Sequence, residues 1–300
     1  LEFQNSWLPE KKVLISGRPQ PSFITRFKAV INIPHVYFVY FAAHHICPDM
    51  LKQLKPLFLL ASVCLYSCSS VYMPNVPNTP MLSSKGEFSG GAHISLKGNG
   101  NFNGAYAVSN HIGVLLGAAY MNNEKRRKDF NHKLIEAGGG YFTTFGPGHN
   151  RILEVYVGLG TGSTNRTFRA YDSDKLLSTE LQKVDYSKTF LQVNYSSKKK
   201  NNFHLFGNNY PINYGTALRV SHVTMDSFFI NGTPTAKEDN IYLEPIFFTR
   251  MRLSDAVQLQ YTSSGNFGLK NRKYMTAGNS ILSVGAVINV GGIKKKKSIR

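Results

Sequence analysis

Charge is scarce for the length of this sequence. Asp, Glu, Lys and Arg make up 17% of its 300 residues, against about 25% in ordinary soluble chains. Acidic side chains are the scarcer kind, 17 against 35 basic ones, so the formal net charge is +18. Only three cysteines occur, Cys47, Cys64 and Cys68, all in the first quarter. That excludes a disulfide framework for the rest of the chain. No CxxC, no Cys/His zinc spacing and no HExxH is present, and Gly158-Leu159-Gly160-Thr161-Gly162 misses the GxGxxG spacing and opens no helix. Neither a metal centre nor a cofactor is therefore expected. The histidines of the body, His93, His111, His132, His149, His204 and His222, are scattered, and no motif assigns them catalytic roles. The chain is not expected to be an enzyme. The basic residues gather in Lys125-Arg126-Arg127-Lys128, at 198–200 and at 294–297, all between or after apolar segments. Without a reading motif beside them, nucleic acid is not an expected partner.

What is present begins with an export signal. Lys52 and Lys55 supply a positive start, residues 57–63 an apolar stretch, and small or apolar residues lead on to Cys68. These are the three parts of a secretory signal, and the stretch is too short to span a bilayer as a helix. Leu65-Tyr66-Ser67-Cys68 resembles the lipobox of bacterial lipoproteins. The resemblance implies cleavage before Cys68 and lipidation of its thiol. Residues 50–67 then read as the signal peptide. Residues 1–49 precede Met50, a natural start for such a signal, and read as a leader that is not translated. The apolar run at 30–46 is interrupted by Pro34, His35, His44 and His45. Residues 68–85, with Pro74, Pro77 and Pro80, read as lipid anchor and extended tether.

From residue 86 onward the apolar period is two, not 3.6. Leu153, Val155, Val157 and Leu159 alternate with Glu154, Tyr156, Gly158 and Gly160. The same alternation marks Leu218 and Val220, then Val257, Leu259 and Tyr261, and finally Leu282, Val284, Ala286, Ile288 and Val290. About ten strands follow, near 86–97, 100–109, 111–121, 132–144, 151–162, 187–196, 213–224, 240–251, 254–264 and 279–292, each about the 9–11 residues of a tilted membrane strand. The faces opposite the apolar ones carry Gly, Ser, Asn, Gln and Tyr rather than many charges, which fits a narrow lumen better than the water face of a soluble sandwich. The expected fold is all-β: a closed antiparallel up-and-down transmembrane barrel of about ten strands (about 8–12), spanning 86–293, with a basic tail at 294–300. Short turns at 109–111, 145–150 and 252–255 would face the periplasm. Longer loops near 122–131, 161–186, 225–239 and 265–278 would face outward. Tyr106, Tyr120, Tyr141, Phe142, Tyr195, Phe248 and Tyr261 are candidates for interfacial belts.

The stretch from Cys68 to Phe88 resembles the start of Bacteroidetes-type outer-membrane β-barrel lipoproteins, a family without an assigned function, and the likeness runs loosely to Gly292. It implies a lipid-anchored protein of the bacterial outer membrane. Ser283, Gly285, Ile288 and Val290 resemble the C-terminal signal read by the barrel assembly machinery, which becomes an expected partner. Charged residues on the second face, Glu87, His93, Lys97, Glu136, Glu154, Arg219, Glu244 and Arg250, are expected in the lumen, since an Arg facing mid-bilayer lipid costs about 2–4 kcal/mol. Arg219 and Arg250 balancing Glu136, Glu154 and Glu244 would make a salt-bridged plug. The expected role is structural or binding, with basic outer loops open to outer-membrane lipid and lipopolysaccharide. A small porin or transporter, or a barrel enzyme acting on lipid or peptide, are the alternatives.

Overall fold

The computed structural model describes residues 70–205, 207–276 and 280–292, all within the unit Leu57–Arg300. The leader at 1–49, the signal at 50–67, Cys68 and the tail at 294–300 lie outside the described residues.

The strands are β1 (Phe88–Ser95), β2 (Gly100–Ala107), β3 (Ile112–Glu124), β4 (Lys128–Phe145), β5 (Arg151–Asp172), β6 (Lys175–Leu205), β7 (Asn208–Ile230), β8 (Thr233–Pro234), β9 (Asp239–Arg252), β10 (Val257–Ser264), β11 (Phe267–Gly268) and β12 (Ile281–Val290). β1 to β7 pair in sequence, β7 pairs with β9, β9 with β10 and β10 with β12. β12 returns to β1 in antiparallel register, from Phe88 opposite Val290 to Ser95 opposite Ser283. The sheet is thus a closed antiparallel barrel of ten strands, with the two-residue β8 and β11 as additions at one rim. Closure pairs the edges that would otherwise present bare N–H and C=O groups to hydrocarbon. No helix among the described residues is long and apolar enough to cross a membrane.

Alternation decides which way each side chain points. Leu159, Val157, Leu116, Ile135, Phe247 and Val284 face outward and exposed, while Glu154, Tyr156, Arg219, Ser221, Gln260 and Ser283 are buried inside. An apolar exterior around a polar interior inverts the soluble arrangement and matches a barrel whose solvent is lipid. Tyr106, Tyr120, Tyr141, Tyr195 and Tyr261 face outward, as interfacial belts require. Phe142 and Phe248 do not: both are buried on the lumen side, because each is one residue out of phase with the apolar face of its strand. Lys97 is also displaced from the expected lumen, being exposed in the turn between β1 and β2. That turn reverses tightly at Gly98, whose φ of +82° only glycine adopts easily.

The expected long loops at 122–131 and 161–186 are mostly strand. β3 and β4 pair out to Glu124 opposite Asp129, and β5 and β6 out to Asp172 opposite Lys175. β7 likewise runs to Ile230, and the segment 197–212 continues β6 and β7 as a hairpin at the opposite rim. β6 has 31 residues, far beyond the about 9–11 needed to cross a bilayer. Outside the hydrocarbon the outward face turns polar, so the apolar alternation ends although the backbone ladder does not.

β1 starts and β12 ends at one rim, whose connections are 108–111, 146–150, 206–207 and 253–256. The longest connections, 231–238 and 265–280, share the opposite rim. Short turns face the periplasm and long loops the exterior in membrane barrels. The two rims are called inner and outer accordingly.

Candidate functional site

The lumen is occupied by the chain itself. Residues 70–82, expected as a tether, are buried without exception inside the barrel. Pro74, Pro77 and Pro80 keep this segment extended and remove three N–H donors from a place where no strand pairs with it. Tyr72 N donates to Ser70 Oγ within the segment at 3.2 Å, and other backbone groups are met by the wall. Val71 N donates to Tyr274 O at 3.0 Å, and Val71 O accepts from Thr164 Oγ1 at 2.8 Å. Val76 N donates to Asn101 Oδ1 at 2.9 Å, while its carbonyl accepts from Asn103 Nδ2 at 3.1 Å. Asn78 O accepts from Gln192 Nε2 at 2.7 Å. Arg250 donates to the carbonyls of Pro80 and Thr79. Leu82 N donates to Glu154 Oε1 at 3.0 Å.

The plug is layered to match the wall. Val71 and Tyr72 join Leu134, Tyr186, Tyr242 and Met275 in an apolar layer toward the outer rim. Leu82 joins Ala105, Leu115, Phe142 and Tyr156 toward the inner rim. Between them lies a polar layer centred on Glu136. Its carboxylate faces Arg219 Nη1 at 3.0 Å and Lys188 Nζ at 3.2 Å, and accepts from Asn75 Nδ2 of the plug at 2.7 Å. Arg219 also donates from Nε to Gln192 Oε1 at 2.7 Å and lies 4.4 Å from the centroid of the Phe190 ring.

All five residues expected in the charge network are buried in the lumen, but they do not form one network. Arg219 pairs with Glu136. Glu154 instead accepts from Leu82 N, Tyr156 Oη at 3.1 Å and Asn194 Nδ2 at 3.0 Å. Glu244 accepts from Tyr72 Oη at 3.0 Å. Arg250 binds plug carbonyls and Gln260 Oε1, the latter at 2.7 Å. The difference has a physical cause: an extended peptide in the lumen offers backbone donors and acceptors that side chains must satisfy. Lys188 and Asn75 escaped the sequence reading. Lys188 shares its strand parity with Gln192, Asn194 and Ser196, all buried, and that parity was the available signal.

Glycines make room for the plug. Gly140 lies opposite Tyr156, Gly158 opposite Phe190 and Gly162 opposite Tyr186, Gly215 opposite Phe248, and Gly285 opposite His93. At each of these a Cβ would run into the ring on the neighbouring strand. The rings therefore lie flat along the wall rather than across the axis. One void, beside Asn78, Thr79, His93 and Arg250, measures about 10 Å³, the room of a single water. Of the assembly-signal residues, Ser283 faces the lumen, Gly285 underlies His93, and Ile288 and Val290 face outward.

The outer mouth is covered by the connection between β11 and β12. Glu238 accepts from Lys273 N at 3.1 Å, Tyr274 N at 2.9 Å and Met275 N at 2.8 Å. Asn240 Nδ2 donates to Met275 O at 2.7 Å. Asp239, at the outer rim, receives Lys270, His222 and Arg272. These donors hold its carboxyl well below the usual carboxylate range, Lys270 contributing most. No group of three or more metal-ligating side chains occurs among the described residues.

A closed sheet with an apolar exterior and a polar, filled interior defines the class: an outer-membrane-type β-barrel, here stoppered by residues 70–82 of the same chain. No protein-family model matches the sequence, and no curated protein does. Among solved structures, the chain is similar to the translocator domain of the autotransporter NalP from Neisseria meningitidis. The identity is 11%, the match covers 82% of this chain and 96% of that one, and the TM-score is 0.43. It is also similar to the pyoverdine outer membrane receptor FpvA from Pseudomonas aeruginosa PAO1, at 12% identity over 70% of this chain and 44% of that one, with a TM-score of 0.24.

Proposed function

We propose that the chain is an outer-membrane lipoprotein with a structural or binding role, lipidated at Cys68, and that its barrel is a closed support rather than a pore. The observation that carries the reading is the burial of residues 70–82 inside the lumen, hydrogen-bonded to the wall along their length. A transport path needs that space. Catalysis and cofactors form no part of the reading. The working surface is then the outer half of the barrel, where Lys125, Arg126, Arg127, Lys133, Lys175 and Lys183 are exposed. Clustered cations of this kind suit anionic sugar-lipid such as lipopolysaccharide. Insertion would rest on the barrel assembly machinery reading Ser283, Gly285, Ile288 and Val290.

The test combines two measurements on the full-length protein recovered from outer membranes. Reconstituted into planar bilayers, it is expected to give no large steady conductance. Grown with labelled palmitate, cells should yield a labelled protein, and Cys68→Ala should abolish the label. A stable open channel in the intact chain would remove the closed-support reading. An unlabelled protein would remove the lipoprotein.

A further inference from the structure

We propose that the lipid on Cys68 sits in the outer leaflet of the outer membrane, at the cell surface, because the plug runs through the barrel from the outer rim inward. This rests on the lipidation reading above. The direction is fixed by contacts along the segment. Val71 is bonded to Tyr274 in the connection that covers the outer mouth. Asn75 reaches the mid-lumen carboxylate of Glu136. Asn78 donates to Gly104 O in the inner half of β2. At the inner rim, Ser83 accepts from Lys198 Nζ at 3.1 Å and donates to Glu87 Oε2 at 2.9 Å. Gly86 N then joins Ala107 O at 2.8 Å, and β1 begins.

Cys68 is two residues before Ser70, a reach of at most about 7 Å. An anchor in the periplasmic leaflet would require those residues to cross the whole lumen back again, through space the plug already fills. Withdrawing the plug instead would strip Tyr72, Val76 and Leu82 from the interior and leave Glu244 without Tyr72 Oη, Glu154 without Leu82 N, and Arg250 without the carbonyls of Thr79 and Pro80. The occupant that the outer end fits is therefore a lipid surface beside the exposed cations of the outer rim. An acyl chain there embeds the protein from outside, while the ten strands hold it across the bilayer.

The experiment places an epitope after Ser69 in the full-length chain and probes intact cells with antibody. Control epitopes go into the outer turn at 173–174 and the inner turn at 253–256, and each variant is checked for palmitate. The expected result is a signal on intact cells from the Ser69 and 173–174 epitopes, and from the 253–256 epitope only after the outer membrane is permeabilised. A Ser69 epitope reached only after permeabilisation, with the 173–174 epitope exposed, overturns the proposal. A surface signal without palmitate overturns the lipid and leaves the threading direction standing, which separates the two readings. Because the insertion can perturb assembly, a Val71→Cys/Tyr274→Cys pair provides an insertion-free measurement. It should cross-link in native membranes, whereas Val71→Cys/Asp255→Cys should not, and the reverse pattern overturns the proposal.

Discussion

Glu136 is the residue on which most of the polar layer depends. It is one carboxylate facing two buried cations, Arg219 and Lys188. Removing a partner from a buried charge cluster leaves uncompensated charge, at about 3–5 kcal/mol. Glu136→Ala should therefore destabilise the barrel by that order, read as a lower midpoint of denaturant unfolding in lipid vesicles. Glu136→Gln combined with Arg219→Met should lose less than the sum of the two single changes, since the double change removes one of the two cations that Glu136→Gln strands. An additive result would mean that the cluster is not coupled. Asp239 acts differently, at the water-exposed rim. Its carboxyl is depressed by Lys270, His222 and Arg272. A depressed folded value gives stability that is fully present above the ordinary carboxylate value of 3.8 and is lost as pH falls toward the folded value. Amide protection at 270–275, corrected for intrinsic exchange, should be unchanged between pH 7 and pH 5 and should fall below pH 3.8. Asp239→Asn should lower that protection throughout, and equal protection in variant and parent would show that the ion cluster does not hold the cover.

At the level of strands, apolar alternation was a sufficient signal wherever one face meets hydrocarbon. All ten barrel strands were legible for that reason, down to the inward parity of Glu154, Arg219 and Arg250. The outer ends of β3 to β7 were not legible, because polar residues on both faces erase the period while the hydrogen-bond ladder continues through Glu124, Asp172 and Ile230. The plug was illegible for a related reason. A proline-rich extended segment has the same sequence signature in solvent as in a lumen, and only the paired wall partners Asn101, Gln192 and Arg250 tell them apart. Gly158 and Gly162 sit where a crowded lumen excludes side chains, and the opposing Phe190 and Tyr186 rings supply the crowding. Gly158→Val would drive a side chain into Phe190 and tip the ring toward the plug. Overpacking of this kind costs about 1–3 kcal/mol. Gly104→Ala, where a Cβ meets nothing within 4 Å, should change stability little. Equal unfolding midpoints for the two variants would refute the ring-over-glycine account.

For the molecule as a whole, the wall and the plug are separable in chemistry though continuous in chain. The wall carries its own closed hydrogen-bond ladder and its own apolar exterior, so it has what a membrane barrel requires without residues 70–82. Its interior is lined by Asn101, Gln192, Arg219, Glu154 and Gln260, groups that water can solvate once the peptide is gone. Deleting residues 70–82 should therefore leave a heat-modifiable barrel of reduced stability, since burial of side chains such as Tyr72 and Leu82 contributes roughly 1.5–3 kcal/mol each. Planar bilayers should then show steady conductance where the full chain shows none. The same deletion joins Cys68 and Ser69 directly to Ser83 at the inner rim. An epitope after Ser69 should move from the cell surface to the periplasmic side in that variant, with palmitate retained. A deletion variant that stays closed would mean the wall collapses on itself and the plug is not the seal. One that opens but keeps its epitope at the surface would mean the anchor is held outside by something other than the path of the chain through the lumen.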